Sequence, residues 1–414
     1  MKNLDEFISE FRPQLKKICS VYDRLWVTRR RKFDSGIMFS AILTQTLDRD
    51  STNYRLIFDR MIESNVSSDL EFSASSYSKA RRRMPFEIFS DVSQWVYKFH
   101  EVPQNQKWLG LNVFAIDGTR INLPKELEAD GFDYSGDDES EFPQAHATVL
   151  FDLQKGMIYD SILSQHIDER GSASLLMKGL PDNSLMICDR GFTGFDLLYD
   201  AESEGVKILM RMPESSAPEG LQEFIDSDNE DEIITMTQSI DVERKLLRRG
   251  YKLRPITVRA IKYYIGQSRF IAITTLLDEE VSKNTLSSMY WCRWDIEECF
   301  KIKKEKLKLE SFRSKHLLGI LQEYWAMQLL YNLGRVFAMC IEGAKSKLKN
   351  RVEISLFGVL KILRVHLLKI IYCPKLALDS RILRVERAMR KVRHKFRAGR
   401  HYTRNLRSSR HSHH

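Results

Sequence analysis

The spacing of apolar residues divides the 414-residue chain into four zones. Residues 1–100 place apolar side chains at helical intervals. Residues 111–211 hold short β-rich runs separated by segments with helical spacing, and residues 212–280 begin acidic and turn-rich and then become strand-like. Helical spacing returns from residue 281 onward. The pattern predicts helices at both ends of the chain and a region containing strands between them.

Runs rich in β-branched and aromatic residues predict the strands of the second zone. They cover residues 111–116, 147–153, 157–163, 185–188 and 206–210. Segments with helical spacing lie between the later runs. Three strands followed by alternating helices and strands predict a mixed α/β sheet. The strand-like residues within 212–280 predict a β-rich insertion.

Composition excludes several classes of protein. With 43% hydrophobic and 29% charged residues, the chain can bury a core and is not disordered throughout. The most apolar run, GIMFSAILTQTL, is too short and too polar to span a membrane. The N-terminus is acidic where a secretory signal would be basic, and the six cysteines form no CxxC pair. These features predict a soluble cytoplasmic protein with no membrane partner.

The positive charge of the chain is concentrated at its C-terminal end. The net charge is +9, yet residues 381–410 alone contain twelve Lys and Arg residues and one Glu. The remaining residues carry 53 basic and 55 acidic side chains, so they are nearly neutral. Such an end usually contacts a polyanion, and we predict contact with nucleic acid. The alternative is that the first part of this segment is a helix packed on the rest of the protein and that the remainder is a solvated tail.

Two further basic clusters lie in the helical N-terminal zone. The first contains Arg29, Arg30 and Arg31, and the second contains Arg81, Arg82 and Arg83. The second follows the polar run SASSYS, which predicts a helix capped by serine. A short basic helix of this kind can lie in a DNA groove, or it can simply present a solvated face. We predict DNA contacts for both clusters.

The candidate catalytic residues are acidic. Motifs for nucleotide hydrolysis, dinucleotide binding, zinc proteolysis and esterase chemistry are absent. We predict that Asp117 ends the apolar strand VFAI and that Asp189 ends the apolar strand LMIC, and a glycine comes soon after each. Side chains at strand ends of an α/β sheet lie at the rim where ligands bind, although an Asp there also favours a turn. Two adjacent carboxylates need a cation between them, and oxygen ligands favour Mg²⁺ or Mn²⁺.

A third carboxylate lies in a helical stripe further along the chain. Tyr290, Arg293, Glu297 and Lys304 follow one another at steps of three, four and seven residues, which places them on one side of a helix. Glu297 would complete a trio with the two aspartates, while the cationic side chains would bind phosphates. The plainer alternative is an ion pair between Arg293 and Glu297 on an exposed helix.

These residues resemble the signature of a known family. The spacing Tyr-x2-Arg-x3-Glu-x6-Lys resembles the Y-R-E-K signature of bacterial insertion-sequence transposases of family four, in the DDE class. The segments VFAIDGTRINLP and MICDRGFTGFDLL resemble the two aspartate segments of that family. The β-rich residues between the second Asp and the Glu resemble its insertion into a ribonuclease-H-like core. The resemblance covers about residues 20–345.

The resemblance implies a fold and a division of the chain. The expected fold is α/β, with a ribonuclease-H-like mixed sheet, a β-rich insertion at about 212–280, and helical N- and C-terminal regions. The expected domains are a helical DNA-binding domain at 1–105, a catalytic core at 106–316, and a helical region with a basic tail at 317–414. The apolar helices at 317–342 and 355–372 either form a subunit interface or cover the core.

The resemblance also implies a reaction. Asp117, Asp189 and Glu297 would hold two Mg²⁺ ions, for which Mn²⁺ can substitute, one activating water or a 3′-OH and the other stabilising the leaving oxygen. The enzyme would bind terminal inverted repeats as a homodimer in a paired-end complex. It would cleave double-stranded DNA through a hairpin and join the 3′-OH ends to target DNA, in a bacterial cytoplasm at the nucleoid. The alternatives are a transposase-derived DNA-binding protein and a metal-dependent nuclease that does not join strands.

Two features depart from the family pattern. The family typically stacks a flipped base on a Trp of the insertion, but no Trp lies within residues 212–280. Phe270 is the first candidate to replace it, ahead of Tyr263 and Tyr264, and the alternative is that the hairpin step differs. The stretch 126–141 is rich in acidic residues, which DNA would repel unless they point away or gate the site.

Overall fold

The structure is a computed structural model of the whole chain. It describes residues 2–27, 33–49, 54–67, 73–132, 134, 141–166, 168–215, 217–342 and 352–395. Within these residues no helix is both long enough and apolar enough to cross a membrane.

A central mixed sheet organises the described residues. Its strands are β1 (Asn112–Asn122), β2 (Gln144–Asp152), β3 (Met157–Ser164), β4 (Ser184–Cys188), β5 (Lys207–Met212), β6 (Asp231–Met236), β7 (Ile256–Ile265) and β8 (Ser268–Thr274). They lie in the order β3-β2-β1-β4-β5-β8-β7-β6. A separate antiparallel pair joins β9 (Val352–Ile354) to β10 (Arg393–Lys395).

The first five strands have the order and directions expected of a ribonuclease-H-like core. Strand β2 is antiparallel to its neighbours β1 and β3, whereas β1, β4 and β5 are parallel. Alternation of side chains explains why β1 forms at this position. Val113 and Ala115 pack on one face of the sheet, and Phe114 and Ile116 pack on the other. The predicted mixed α/β fold is therefore confirmed.

The helices cover both faces of the sheet. They are α1 (Leu4–Trp26), α2 (Ser35–Leu47), α3 (Tyr54–Glu63), α4 (Ala74–Arg81), α5 (Glu87–Lys98), α6 (Glu169–Met177), α7 (Phe195–Ser203), α8 (Leu221–Asp226), α9 (Ile240–Arg248), α10 (Lys283–Trp291), α11 (Trp294–Lys301), α12 (Leu317–Glu342), α13 (Leu356–Tyr372) and α14 (Lys375–Lys391). Polar side chains cap many of them, including Ser73 before α4, as the sequence predicted.

The predicted β-rich insertion extends the same sheet. Strands β8, β7 and β6 add to the edge of β5 in antiparallel fashion. Along the chain, helix α8 precedes β6 and helix α9 follows it, and the apolar pattern did not predict either helix. Helix α9 buries only Leu246 among its residues, so it contributes little to the core.

Helix α12 is the central helix of the layer that covers one face of the sheet. It packs against α2, α5 and α13 and is buried along most of its length, which makes it part of the core. Its burial within its own chain removes it as a candidate subunit interface. The hydrophobic cluster around it runs from Leu4 through the sheet to Met389, so the N- and C-terminal helices share one core. The domain boundaries proposed at residues 105 and 316 stay a prediction.

Candidate active site

Asp117 and Asp189 lie on neighbouring parallel strands of the core. Strand β4 ends at Cys188, which is paired with Ile116 of β1, so each aspartate is the next residue beyond that pairing. The prediction that Asp117 ends its strand was wrong in one respect. Strand β1 continues to Asn122 because β2 pairs with it along that whole length.

Glu297 reaches the same place from the helical layer. Helix α10 ends at Trp291, and α11 begins at Trp294, with Arg293 in the turn between them. Arg293 is buried, and its Nη2 donates to Oε1 of Glu297 at 2.8 Å. Its Nη1 lies 3.6 Å from Oδ2 of Asp117. The guanidinium therefore bridges two of the three candidate carboxylates.

The tyrosine of the signature contacts the third carboxylate. The hydroxyl of Tyr290 donates to Oδ1 of Asp189 at 3.3 Å. Burial raises the pKa of this tyrosine well above its ordinary value, and the nearby carboxylate of Asp189 raises it further. Tyr290 is therefore a neutral hydrogen-bond donor at physiological pH. The ion pair anticipated in the plainer alternative exists, but it lies in this buried cluster and not on an exposed helix.

The carboxylates lie within one another's electrostatic field. Burial raises the pKa of Asp117 to about 6. The Arg293 charge and the backbone N–H of Gly118, which donates to Oδ1 of Asp117 at 2.9 Å, oppose that rise. Glu297 and Asp189 add to it through repulsion between like charges. The site therefore holds more negative charge than Arg293 alone neutralises.

The donor set has the chemistry of a divalent-cation site. Its oxygen ligands suit hard cations such as Mg²⁺ and Mn²⁺. In the part of the chain that the structure describes, however, no three acidic, histidine or cysteine side chains are already grouped to hold a metal ion. Arg293 occupies the space between Asp117 and Glu297, and its Nε has no hydrogen-bond partner. A metal ion held between Asp117 and Glu297 would therefore displace Arg293 from these two carboxylates.

Lys304 lies further from the trio than the other residues of the signature. A π-helical turn, Ile302–Lys306, follows α11 and buries the neighbouring Lys303. The Nζ of Lys304 donates to the carbonyl oxygen of Arg120 at 3.0 Å and lies 3.8 Å from Oε1 of Glu310. The continuous helix predicted through Lys304 is thus broken between α10 and α11 and ends in a π turn. Lys304 lies beside the end of β1, where it remains half-exposed.

The second basic cluster divides into one buried and two exposed residues. Arg81 is buried and donates to Glu323, Gln322 and the carbonyl of Gly319. A side chain bound on so many sides cannot reach DNA, so the predicted contact is corrected to a structural role for Arg81. Arg82 and Arg83 remain exposed. Arg29, Arg30 and Arg31 lie outside the described residues.

Phe270 belongs to a row of aromatic rings that leads to the site. Its ring stacks on Tyr263 with centroids 5.6 Å apart, and the ring of Tyr263 lies 5.9 Å from that of Tyr290. The guanidinium carbon of Arg211 lies 4.3 Å from the centre of the Phe270 ring. Sequence reasoning missed Arg211. The pairing of its strand β5 with β8, which carries Phe270, joins segments far apart in the chain, so no local pattern could have identified it.

The acidic stretch after Asp117 is only partly described. Glu126 forms an ion pair with Lys315, and the hydroxyl of Tyr134 donates to Glu128 at 3.2 Å. Asp133, Asp137, Asp138 and Glu139 lie outside the described residues. Glu126 is thus partly neutralised by a basic residue just before α12.

Comparison with known proteins identifies the family. The sequence model described as "Transposase DDE domain" matches residues 108–333, more than half of the chain. No curated protein sequence matches. A weak structural likeness links the chain to the cryo-EM structure of the piggyBac transposase synaptic complex with hairpin DNA, with a TM-score of 0.46 and 11% identity over 92% of this chain and 83% of that one. The matched segment contains both aspartates and the glutamate of the site, and the chain belongs to the transposase DDE domain family.

Proposed function

We propose that this protein is a cut-and-paste DNA transposase of the Y-R-E-K type, of insertion-sequence family four. It binds terminal inverted repeats, cleaves both transposon ends, and joins the resulting 3′-OH ends to target DNA. The observation that carries the proposal is the convergence of Tyr290 and Arg293 on Asp117, Asp189 and Glu297. Three separate sequence segments supply these side chains, so chance spacing in one segment does not account for their meeting.

Asp117, Asp189 and Glu297 are proposed to hold Mg²⁺, or Mn²⁺ in its place. Two such ions supply Lewis-acid activation of the attacking oxygen and stabilisation of the leaving oxygen in an in-line displacement. The protein side chains set where the DNA lies. Tyr290 orients Asp189 through its hydroxyl, and Arg293 is a buried cation that can turn from Glu297 to a phosphate of the bound strand.

The aromatic row gives the proposed hairpin step a stacking surface. A hairpin requires a sharp bend in the DNA, which unpaired bases relieve when they stack on aromatic rings. Phe270 is half-buried at the far end of the row from Tyr290. Arg211 lies over this ring, so it would place a cation near the phosphate of a nucleotide stacked there. We therefore propose Phe270 as the stacking residue in this chain.

Other surfaces are proposed to hold the DNA outside the cut. Arg82, Arg83 and Lys304 are exposed or half-exposed cations, and contacts from such groups neutralise phosphates without reading sequence. Arg29, Arg30 and Arg31 are proposed for the same role on sequence alone. The working unit is proposed to be a homodimer on two DNA ends in the bacterial cytoplasm, at the nucleoid.

The experiment that tests the proposal uses the full-length protein, Mg²⁺ and DNA carrying the element's own terminal repeats. Denaturing gels report nicks and hairpins, and a labelled target plasmid reports joining. Cleavage with joining supports the proposal. Cleavage without joining would identify a nuclease, and binding without cleavage would identify a DNA-binding protein descended from a transposase. Glu297→Gln is the inactive control, since it keeps the side-chain size and removes the charge.

A companion experiment tests the signature residues. Arg293→Ala should slow cleavage of the transposon end by at least about tenfold, because a charged hydrogen bond is worth about 1.5–3 kcal/mol. Arg244→Ala, which removes an exposed arginine of α9, is the matched control. An equal loss in both variants would mean that Arg293 acts only through general positive charge. Tyr290→Phe should act more mildly, because it keeps the ring and loses one hydrogen bond.

A further inference from the structure

The glycine that follows each candidate catalytic aspartate makes room for a specific side chain. A Cβ atom on Gly118 would lie 2.6 Å from Nε2 of His146. A Cβ atom on Gly191 would lie 2.6 Å from Oε2 of Glu169. Real Cβ atoms do not approach other heavy atoms this closely. A side chain at either place would therefore displace the end of His146 or of Glu169, because both press against the backbone there.

Those two side chains contact each other. The Nε2 atom of His146 lies 3.6 Å from Oε1 of Glu169, and the same carboxylate oxygen would lie 3.6 Å from a Cβ atom on Gly118. His146 is buried on β2, where its Nδ1 lies 3.3 Å from Oγ1 of Thr148. Glu169 is thus located between the backbone after Asp117 and the backbone after Asp189, with one oxygen toward each.

The first turn of α6 is built to hold Glu169 in place. Asp168 caps the helix by accepting from the N–H of Gly171 at 2.8 Å. The next residue, Arg170, lies 3.5 Å from Oδ1 of Asp196, and a Cβ atom on Gly194 would lie 2.6 Å from its Nη1. The first turn of α6 therefore contacts the segment after Asp189 at two points, one through Glu169 and one through Arg170.

Glu169 supports the site from the face opposite to the three carboxylates. Successive side chains of a strand point to opposite faces, so the Cβ direction of Gly118 is opposite to the side chain of Asp117. Arg293 and Glu297 meet Asp117 on its own face, whereas His146 and Glu169 meet Gly118 on the other. Glu169 therefore does not touch the three carboxylates themselves.

We propose that Glu169 is a positioning residue, which with His146 fixes the separation of Asp117 and Asp189 and so sets the affinity of the site for divalent metal. The inference rests on the function proposed above. Ligands that converge on a metal depend on neighbouring groups to hold their backbone and orientation, and losing such a neighbour typically costs about 10- to 100-fold in metal affinity or activity.

The test measures Mn²⁺ binding to the full-length protein by electron paramagnetic resonance, without DNA. Glu169→Ala should weaken Mn²⁺ binding by about 10- to 100-fold. Glu169→Gln should lie between the wild type and Glu169→Ala, because the amide still fills the space beside Gly191. Cleavage by Glu169→Ala should recover as the Mn²⁺ concentration is raised, a response that a general folding defect would not give. The matched control is Glu204→Ala, which removes an exposed glutamate at the end of α7.

A double-mutant cycle tests the contact directly. Gly191→Ala in the wild-type background places a methyl group against Oε2 of Glu169, so it should weaken Mn²⁺ binding. In the Glu169→Ala background the same substitution should cost little more, because the carboxylate is gone. Full additivity of the two losses, or normal Mn²⁺ affinity in Glu169→Ala, would overturn the inference.

Asp117→Asn separates this inference from the proposed function. If Asp117→Asn abolishes Mn²⁺ binding and Glu169→Ala leaves it unchanged, the metal site stands and the positioning role of Glu169 is wrong. If Asp117→Asn leaves Mn²⁺ binding unchanged, the metal site itself is wrong, and the positioning role fails with it.

Discussion

Replacing Asp117 with Asn should stabilise the metal-free protein at neutral pH. Burial raises the pKa of this carboxyl from 3.8 to about 6, so the folded protein holds the Asp117 proton more tightly than the unfolded chain does. The ionised carboxylate therefore lowers folded stability, increasingly so as the pH rises from about 4 to above 6. This rise in pKa lowers the free energy of unfolding by about 3 kcal/mol at pH 7, since a tenfold change in an ionisation equilibrium is worth about 1.4 kcal/mol. The neutral amide of Asn avoids that cost.

The assay is urea unfolding of the full-length protein in a chelator at pH 7 and at pH 5. The advantage of Asp117→Asn over the wild type should shrink to about half between these two values, because the wild-type carboxyl is mostly protonated at pH 5. Asp228→Asn, at an exposed loop position, is the control and should show no such pH dependence. Adding Mg²⁺ should stabilise the wild type and not Asp117→Asn. A variant that is less stable than the wild type at both pH values would refute the reasoning.

Three further predictions concern the trio, the buried arginine and the basic end. Glu297→Gln should reduce cleavage by at least about 10³-fold. Binding of the transposon end should survive in a gel-shift assay, because phosphate contacts elsewhere supply most of the affinity. A parallel loss of binding would contradict this prediction. Arg81→Ala should lower the free energy of unfolding by about 1.5–3 kcal/mol, because it removes one charged partner of the buried Glu323 carboxylate while Arg49 remains. Arg83→Ala should change mainly DNA affinity. Unchanged stability in Arg81→Ala would argue against its structural role. Deleting residues 396–414 removes five arginines and no acids. The slope of log binding constant against log salt concentration, for any duplex, should therefore become shallower by about 0.9 per lost phosphate contact. An unchanged slope would show that these arginines do not contact DNA.

The sequence predicted the core strands well because their burial leaves a clear pattern. Both faces of β1 are covered, so apolar residues run continuously from Val113 to Ile116. The pattern could not predict where β1 ends, since its last residues are held by backbone pairing with β2 and not by apolar side chains. The apolar run therefore predicts a strand end at Asp117, whereas β1 continues five residues further, to Asn122.

The helical spacing of the signature predicted the meeting of Arg293 and Glu297 but not the break between α10 and α11. A two-residue turn keeps the side chains roughly in line, so the periodicity of three and four survives it. The π turn that contains Lys304 is invisible to the same pattern, because a single widened turn is too short to leave a periodicity of its own.

The basic cluster at Arg81 shows that a run of positive charge does not reliably predict an exposed DNA contact. The local sequence shows only a positive charge at Arg81. It does not show that Glu323, 242 positions further along the chain, forms an ion pair with it. Charged residues are rarely buried without a partner, so the sequence favoured exposure. The partner comes from α12, a mostly apolar helix that also buries Gln322, Gln328 and Asn332.

The charge balance of the site links metal binding to DNA binding. Three carboxylates and one guanidinium leave a net charge of about −2 when all are ionised, and the raised pKa of Asp117 reflects that imbalance together with burial. One divalent cation would neutralise this excess, while a second would leave the site positive. The phosphates of a bound DNA strand would supply the missing negative charge and would also attract Arg293 away from Glu297. On the proposed assignment, full metal loading is therefore favoured only when DNA is in place, which restricts strand cleavage to the complex with its substrate.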